Sequence, residues 1–129
     1  MKKLLTTLAC AAVALATSAI GGEYPDISIK ELKEAIKEGK VTVIDVNGSS
    51  SYAKGHIPTA VDFRATDDLA KVLPKEKDAL VVAYCGGPSC SAYKAAATKA
   101  EELGYTNVKH LSAGISGWLQ AGEATDKKG

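Results

Sequence analysis

An α/β domain with a mainly parallel central sheet, flanked by helices on both faces, is the fold this 129-residue sequence predicts. Three observations carry the prediction. Val41-Thr42-Val43-Ile44-Asp45-Val46 is β-branched and nearly all apolar, the composition of a strand covered on both sides. Ala79-Leu80-Val81-Val82-Ala83-Tyr84 has the same character and stops at Cys85-Gly86-Gly87-Pro88. Helical patterns lie before, between and after these runs, and strands alternating with helices mean a parallel sheet. The length suits one domain with a proper core, and the chain shows no internal repeat, linker or low-complexity tract.

The amino end reads as a leader. Met1-Lys2-Lys3 is basic, Leu4 to Ala16 is largely apolar and uncharged, and Ala14-Leu15-Ala16 and Thr17-Ser18-Ala19 are small-residue cleavage sites. A signal peptide over 1–19, cleaved after Ala16 or Ala19, leaves a domain over 20–129. The apolar run is shorter than the ~20 residues a membrane span needs and is broken by Thr6, Thr7, Thr17 and Ser18. The expected location is therefore periplasmic or secreted, with no membrane contact after cleavage.

The mature elements follow in order. Ser28-Ile29-Lys30-Glu31 has the form of a capping box. Ile29, Leu32, Ala35 and Ile36 then share one helix face, and Gly39 closes it. After the first strand, Asn47 to Ser51 is a loop, and a short helix runs from about Ser50 to Lys54. Gly55-His56-Ile57-Pro58-Thr59-Ala60 is a turn, Val61-Asp62-Phe63 a short strand, and Asp67 to Val72 a short helix stopped by Pro74. From Ser91 to Leu103 strong helix formers dominate, with Gly104 in the capping position. Val108-Lys109-His110-Leu111 is one more strand, Ile115 to Ala121 a last helix carrying Trp118, and Glu123 to Gly129 a polar, frayed tail.

Charge narrows the partners. The net charge of +1 gives no electrostatic argument for nucleic acid or a membrane surface, and without Lys2 and Lys3 the chain carries 14 basic against 15 acidic residues. Arg64 is the single arginine, which disfavours a phosphate clamp. Cleavage also removes Cys10 and leaves Cys85 and Cys90, an even pair that is a disulfide candidate in an oxidising compartment.

Cys85 stands at the carboxyl end of a strand, where open α/β sheets place ligands. Backbone N–H groups of the Gly-rich loop and of the following helix's first turn face negative charge there, which lowers a thiol's pKa and makes it nucleophilic. The plainer reading is a small apolar residue ending a core strand. A zinc site from Cys85, Cys90, His56 and His110 is disfavoured, because neither histidine has a paired ligand spacing. A thioredoxin-like motif has two residues between its cysteines, and here there are four. A cysteine phosphatase needs an arginine where Ser91 stands.

Val43-Ile44-Asp45-Val46, Tyr52-Ala53-Lys54-Gly55-His56-Ile57-Pro58-Thr59-Ala60, Val82-Ala83-Tyr84-Cys85 and Ala113-Gly114-Ile115-Ser116-Gly117-Trp118 resemble, in order and spacing, a single-domain rhodanese over about residues 26 to 122. The resemblance implies a sulfurtransferase. Cys85 would take sulfane sulfur from a small donor such as thiosulfate as a persulfide, then pass it to a thiophilic acceptor such as cyanide or a thiol. It implies no metal and no organic cofactor. By the same resemblance, Gly86, Gly87, Pro88, Ser89, Cys90 and Ser91 form the substrate cradle, while His56 and Trp118 are structural. The sequence departs from the family where Asn47 replaces an arginine, Thr59 a glycine and Ala113 a glycine, and where Cys90 stands near another usual arginine. For Cys90 three readings stay open: a structural disulfide with Cys85, a small residue at the helix start, or resolution of a Cys85 persulfide, which leaves a disulfide that an exported thiol reductant must then reopen. A thiol–disulfide redox protein and a non-catalytic binding module are the functions of other classes.

Overall fold

A computed structural model describes residues 24–128, so the expected leader and Cys10 lie outside the described residues. The elements run α1 (Ile29–Glu38), β1 (Val41–Asp45), α2 (Ser49–Lys54), β2 (Val61–Asp62), β3 (Leu80–Tyr84), α3 (Tyr93–Glu102), β4 (Asn107–His110) and α4 (Gly114–Gln120). Two 3-10 turns, Phe63–Ala65 and Leu69–Lys71, lie between β2 and β3. The four strands pair in parallel in the order β2-β1-β3-β4, with Asp45 opposite Tyr84 at the carboxyl ends of β1 and β3.

Both faces of the sheet are covered, as parallel sheets require. Strand alternation sends Val81, Ala83 and Cys85 to one face, where they pack with Ala96, Ala97 and Ala100 of α3 and with Leu69, Leu73, Tyr105 and Val108. The three alanines let α3 lie close against the strands. Val43, Val82 and Tyr84 point to the opposite face and meet Leu32 of α1, Ile57, Leu111 and Trp118 of α4. Each such large apolar side chain stabilises the fold by about 1.5–3 kcal/mol through burial alone.

Helix α1 follows local rules. The Ser28 hydroxyl accepts from the Glu31 N–H, the Glu31 carboxylate accepts from the Ser28 N–H, and Gly39 ends the helix at φ 71°. Hydrogen bonds to the Ser28 backbone and side chain hold the Glu31 carboxyl below its ordinary pKa. The expected short strand ends sooner than Phe63, because the Asp62 carboxylate accepts from the Arg64 N–H and turns the chain into 3-10 geometry. Helix α3 begins at Tyr93, not Ser91. Ser91 does not cap it through its side chain; its carbonyl accepts from the Lys94 N–H instead.

From Glu123 to Lys128 the tail is not frayed. Asp126 pairs with His56 through two backbone hydrogen bonds of 2.9 Å, and the Lys128 N–H donates to Ala53. The Trp118 indole N–H donates to the Ala124 carbonyl at 2.8 Å. Ahead of α1, Asp26 bridges in parallel to His110 beside β4. In the Gly-His-Ile-Pro turn, the His56 imidazole stacks on Tyr52 at 3.7 Å and its Nδ1–H donates to the Tyr52 carbonyl, a structural role. Thr59, in the glycine position of that turn, sits at φ 74°, where a β-branched residue is strained.

Candidate active site

The loop from Cys85 to Ala92 joins the end of β3 to α3. Its first half is held by the sheet and by α4. Four successive carbonyls leaving β3 each accept one N–H: Ala83 from Leu111, Tyr84 from Val46, Cys85 from Ile115 and Gly86 from Ser116, at 2.9 to 3.1 Å. The N-terminal turn of α4 thus clamps the start of the loop. Gly114 makes the approach feasible. It has φ 64°, and a Cβ there would stand 2.5 Å from the Gly86 carbonyl carbon, closer than any side chain can be placed.

Cys85 is 1 % exposed, its side chain on the α3 face of the sheet. Gly86 and Gly87 are half-buried, Pro88 and Ser89 are exposed, Cys90 is half-buried and Ser91 is exposed. The loop reverses at Gly87, whose carbonyl accepts from the Cys90 N–H at 3.1 Å. This turn returns Cys90 over Cys85, and the two form a disulfide with Cα atoms 6.3 Å apart. Neither sulfur is a nucleophile while bonded to the other, so thiolate chemistry at this loop requires reduction first. Of the six loop residues expected to form a cradle, Pro88 has no N–H and Cys90 commits its own to Gly87.

Behind the loop lies a buried polar pair that the sequence reading did not single out. The Tyr84 hydroxyl donates to Asp45 Oδ2 at 2.5 Å and accepts from the Ile57 N–H at 3.1 Å. Asp45 Oδ1 accepts from the Asn47 N–H at 2.7 Å. Burial raises the Asp45 carboxyl above its ordinary pKa, against the lowering effect of the Tyr84 and Asn47 hydrogen bonds. Burial, then the bond to Asp45, pushes the Tyr84 hydroxyl up as well, so it remains a donor. The pair fixes the backbone at Asn47, whose side-chain oxygen lies 3.9 Å from the place a Cβ on Gly86 would take. Asn47 therefore borders the loop, without the charge an arginine would bring.

The two histidines stand apart in role. His56 belongs to the turn beside α2, whereas His110 stacks on Tyr93 at 3.4 Å, with Tyr24 edge-on to that ring at 6.2 Å. Burial lowers the His110 pKa. Among the described residues, no group of three or more His, Cys, Asp and Glu side chains is placed to hold a metal ion. Gly114 and the Asp45–Tyr84 pair are the site residues missed, and their only signal was membership of the segments that carry the resemblance.

Comparison with known proteins identifies the fold. A Bacillus halodurans protein of known crystal structure is 32% identical, superposes with a TM-score of 0.69, and is matched over 81% of this chain and 77% of its own. A human single-domain sulfurtransferase, 21% identical with a TM-score of 0.60 over 74% of this chain and 96% of its own, shares the fold. An HTH-type transcriptional regulator of Mycobacterium tuberculosis is 32% identical over 120 residues, 93% of this chain but 52% of the regulator. The chain thus spans about half the length of that relative. The model of the rhodanese-like domain matches residues 28–121, and the chain belongs to the rhodanese-like family.

Proposed function

We propose that the protein is a sulfurtransferase that carries sulfane sulfur on Cys85. The observation supporting this most strongly is the placement of Cys85: a buried cysteine at the carboxyl end of a central parallel strand, with the start of its loop clamped by α4. Once reduced, the Cys85 thiolate attacks the outer sulfur of a donor such as thiosulfate. Sulfite leaves and a persulfide remains. The N–H groups of Gly86 and Gly87, on the side of the loop that α4 holds, are the donors for the persulfide's negative charge, since preorganised backbone dipoles cost no reorganisation during the reaction. The outer sulfur then passes to a thiophilic acceptor, cyanide or a thiol. Asn47 beside the loop offers no positive charge, so a dianionic donor binds weakly and a less charged one suits the site better.

Thiocyanate formation from thiosulfate and cyanide, after reduction of the protein, tests this reading. Activity is expected in the reduced protein and lost in Cys85→Ser; undiminished activity in Cys85→Ser refutes it. The disulfide favours one second reading, thiol–disulfide exchange, for which Cys90-dependent reduction of insulin is the test. The leader reading places the protein in the periplasm or outside the cell, and fractionation of the producing cells checks it.

A further inference from the structure

Cys90 has no part in a relay that uses Cys85 alone, yet the structure joins the two sulfurs. We infer that Cys90 is a resolving cysteine, so that the protein converts sulfane sulfur to free sulfide with electrons from a dithiol reductant. The inference rests on the Cys85 sulfurtransferase reading.

The two limbs of the loop are held unequally. On the Cys85 side, the carbonyls of Ala83, Tyr84, Cys85 and Gly86 are all bound by Leu111, Val46, Ile115 and Ser116. On the Cys90 side, Pro88, Ser89, Ser91 and Ala92 are exposed, and α3 starts without a side-chain cap. The Cys90 N–H bond to Gly87 is local to the turn. Opening the disulfide therefore frees the Cys90 limb while Cys85 stays in place. Cys90 swings away to admit the donor and returns to the position it holds here.

The returning step balances. The Cys90 thiolate attacks Cys85 Sγ of the persulfide, a new Sγ–Sγ bond forms, and the bond to the outer sulfur breaks. The outer sulfur leaves with the bonding pair, takes the proton the Cys90 thiol gave up, and is released as hydrosulfide. Sulfane sulfur is reduced by two electrons and the cysteine pair is oxidised to the disulfide seen in the structure. Cys85 is 1 % exposed and Cys90 more so, so a dithiol enters at Cys90 Sγ and Cys85 leaves as the thiolate. The reductant's second thiol then displaces Cys90, and both cysteines are regenerated as the reductant becomes a disulfide.

A single-turnover experiment separates the steps. Reduced, desalted protein receives thiosulfate in large excess and no thiol, which limits it to one turnover; sulfite, sulfide and intact mass are followed. Wild type is expected to release sulfite and sulfide in equal amounts and to finish two hydrogens lighter than the reduced protein. Cys90→Ser is expected to release sulfite but no sulfide and to finish heavier by one sulfur, with Cys90→Ala as a second variant in case the serine disturbs folding. If wild type keeps the extra sulfur as long as the variants, or the variants release sulfide as wild type does, the inference is overturned while sulfite release leaves the Cys85 reading standing. Absence of sulfite from every protein overturns the Cys85 reading and the inference with it.

Discussion

Replacing Tyr84 with Phe removes one hydroxyl from the core and keeps the ring, so the loss measured is polar. Two groups are orphaned. Asp45, 1 % exposed, loses the donor to Oδ2, and the Ile57 N–H, in a residue with no exposed surface, loses its acceptor. An unsatisfied buried neutral group costs about 1–3 kcal/mol and a charged one more. The expected destabilisation is therefore about 3–5 kcal/mol, a large share of the ~5–15 kcal/mol that holds a domain together. The pH dependence has a definite sign. Burial already raises the Asp45 carboxyl pKa, and the Tyr84 bond opposes that rise. A raised folded-state value contributes stability that is full below the ordinary carboxyl value and is lost as pH rises through the folded one. Removing the hydroxyl raises it further, so the loss in Tyr84→Phe grows from mildly acid to neutral pH. Urea unfolding at the two pH values measures it, the midpoint falling with an unchanged slope. A loss under about 1 kcal/mol at neutral pH, or one larger in acid than at neutrality, would refute the reasoning, because the structure then holds no strong Asp45–Tyr84–Ile57 link.

Two further substitutions probe the scaffold. Gly114→Ala places a methyl within 2.5 Å of the Gly86 backbone, so the α4 clamp must retreat; thiocyanate formation should fall by about 100-fold, the effect of a displacement near 1 Å, with far-UV circular dichroism little changed. Thr59→Gly relieves a β-branched residue at φ 74°, and after the added entropy of the unfolded chain the net gain is about 1 kcal/mol, read as a melting temperature higher by roughly 4 °C.

Thr59 shows how far local reading reaches. Its position in Gly55-His56-Ile57-Pro58-Thr59 marks a turn and a departure from the family's glycine, but the backbone angle is what shows the physical cost, a left-handed conformation that strains threonine. Ser91 marks the opposite limit. By composition it opens a helix, yet the chain holds Cys90 over Cys85, and the helix starts two residues later at Tyr93.

By itself the sequence determined the fold class, the capped first helix and the position of Cys85 at a strand's carboxyl end. These rest on β-branched runs, a capping box and glycines, all of which act over a few neighbouring residues. Tertiary structure alone decided the rest. The Asp45–Tyr84 bond, the α4 clamp at Gly114, and the pairing of Asp126 with His56 join residues distant in the chain. Such partners are selected by sheet order and by which face each strand residue occupies, and no local pattern encodes that. The Cys85–Cys90 bond lies between the two limits: the pair is plain in the sequence, and the turn at Gly87 that closes it is a property of the folded loop.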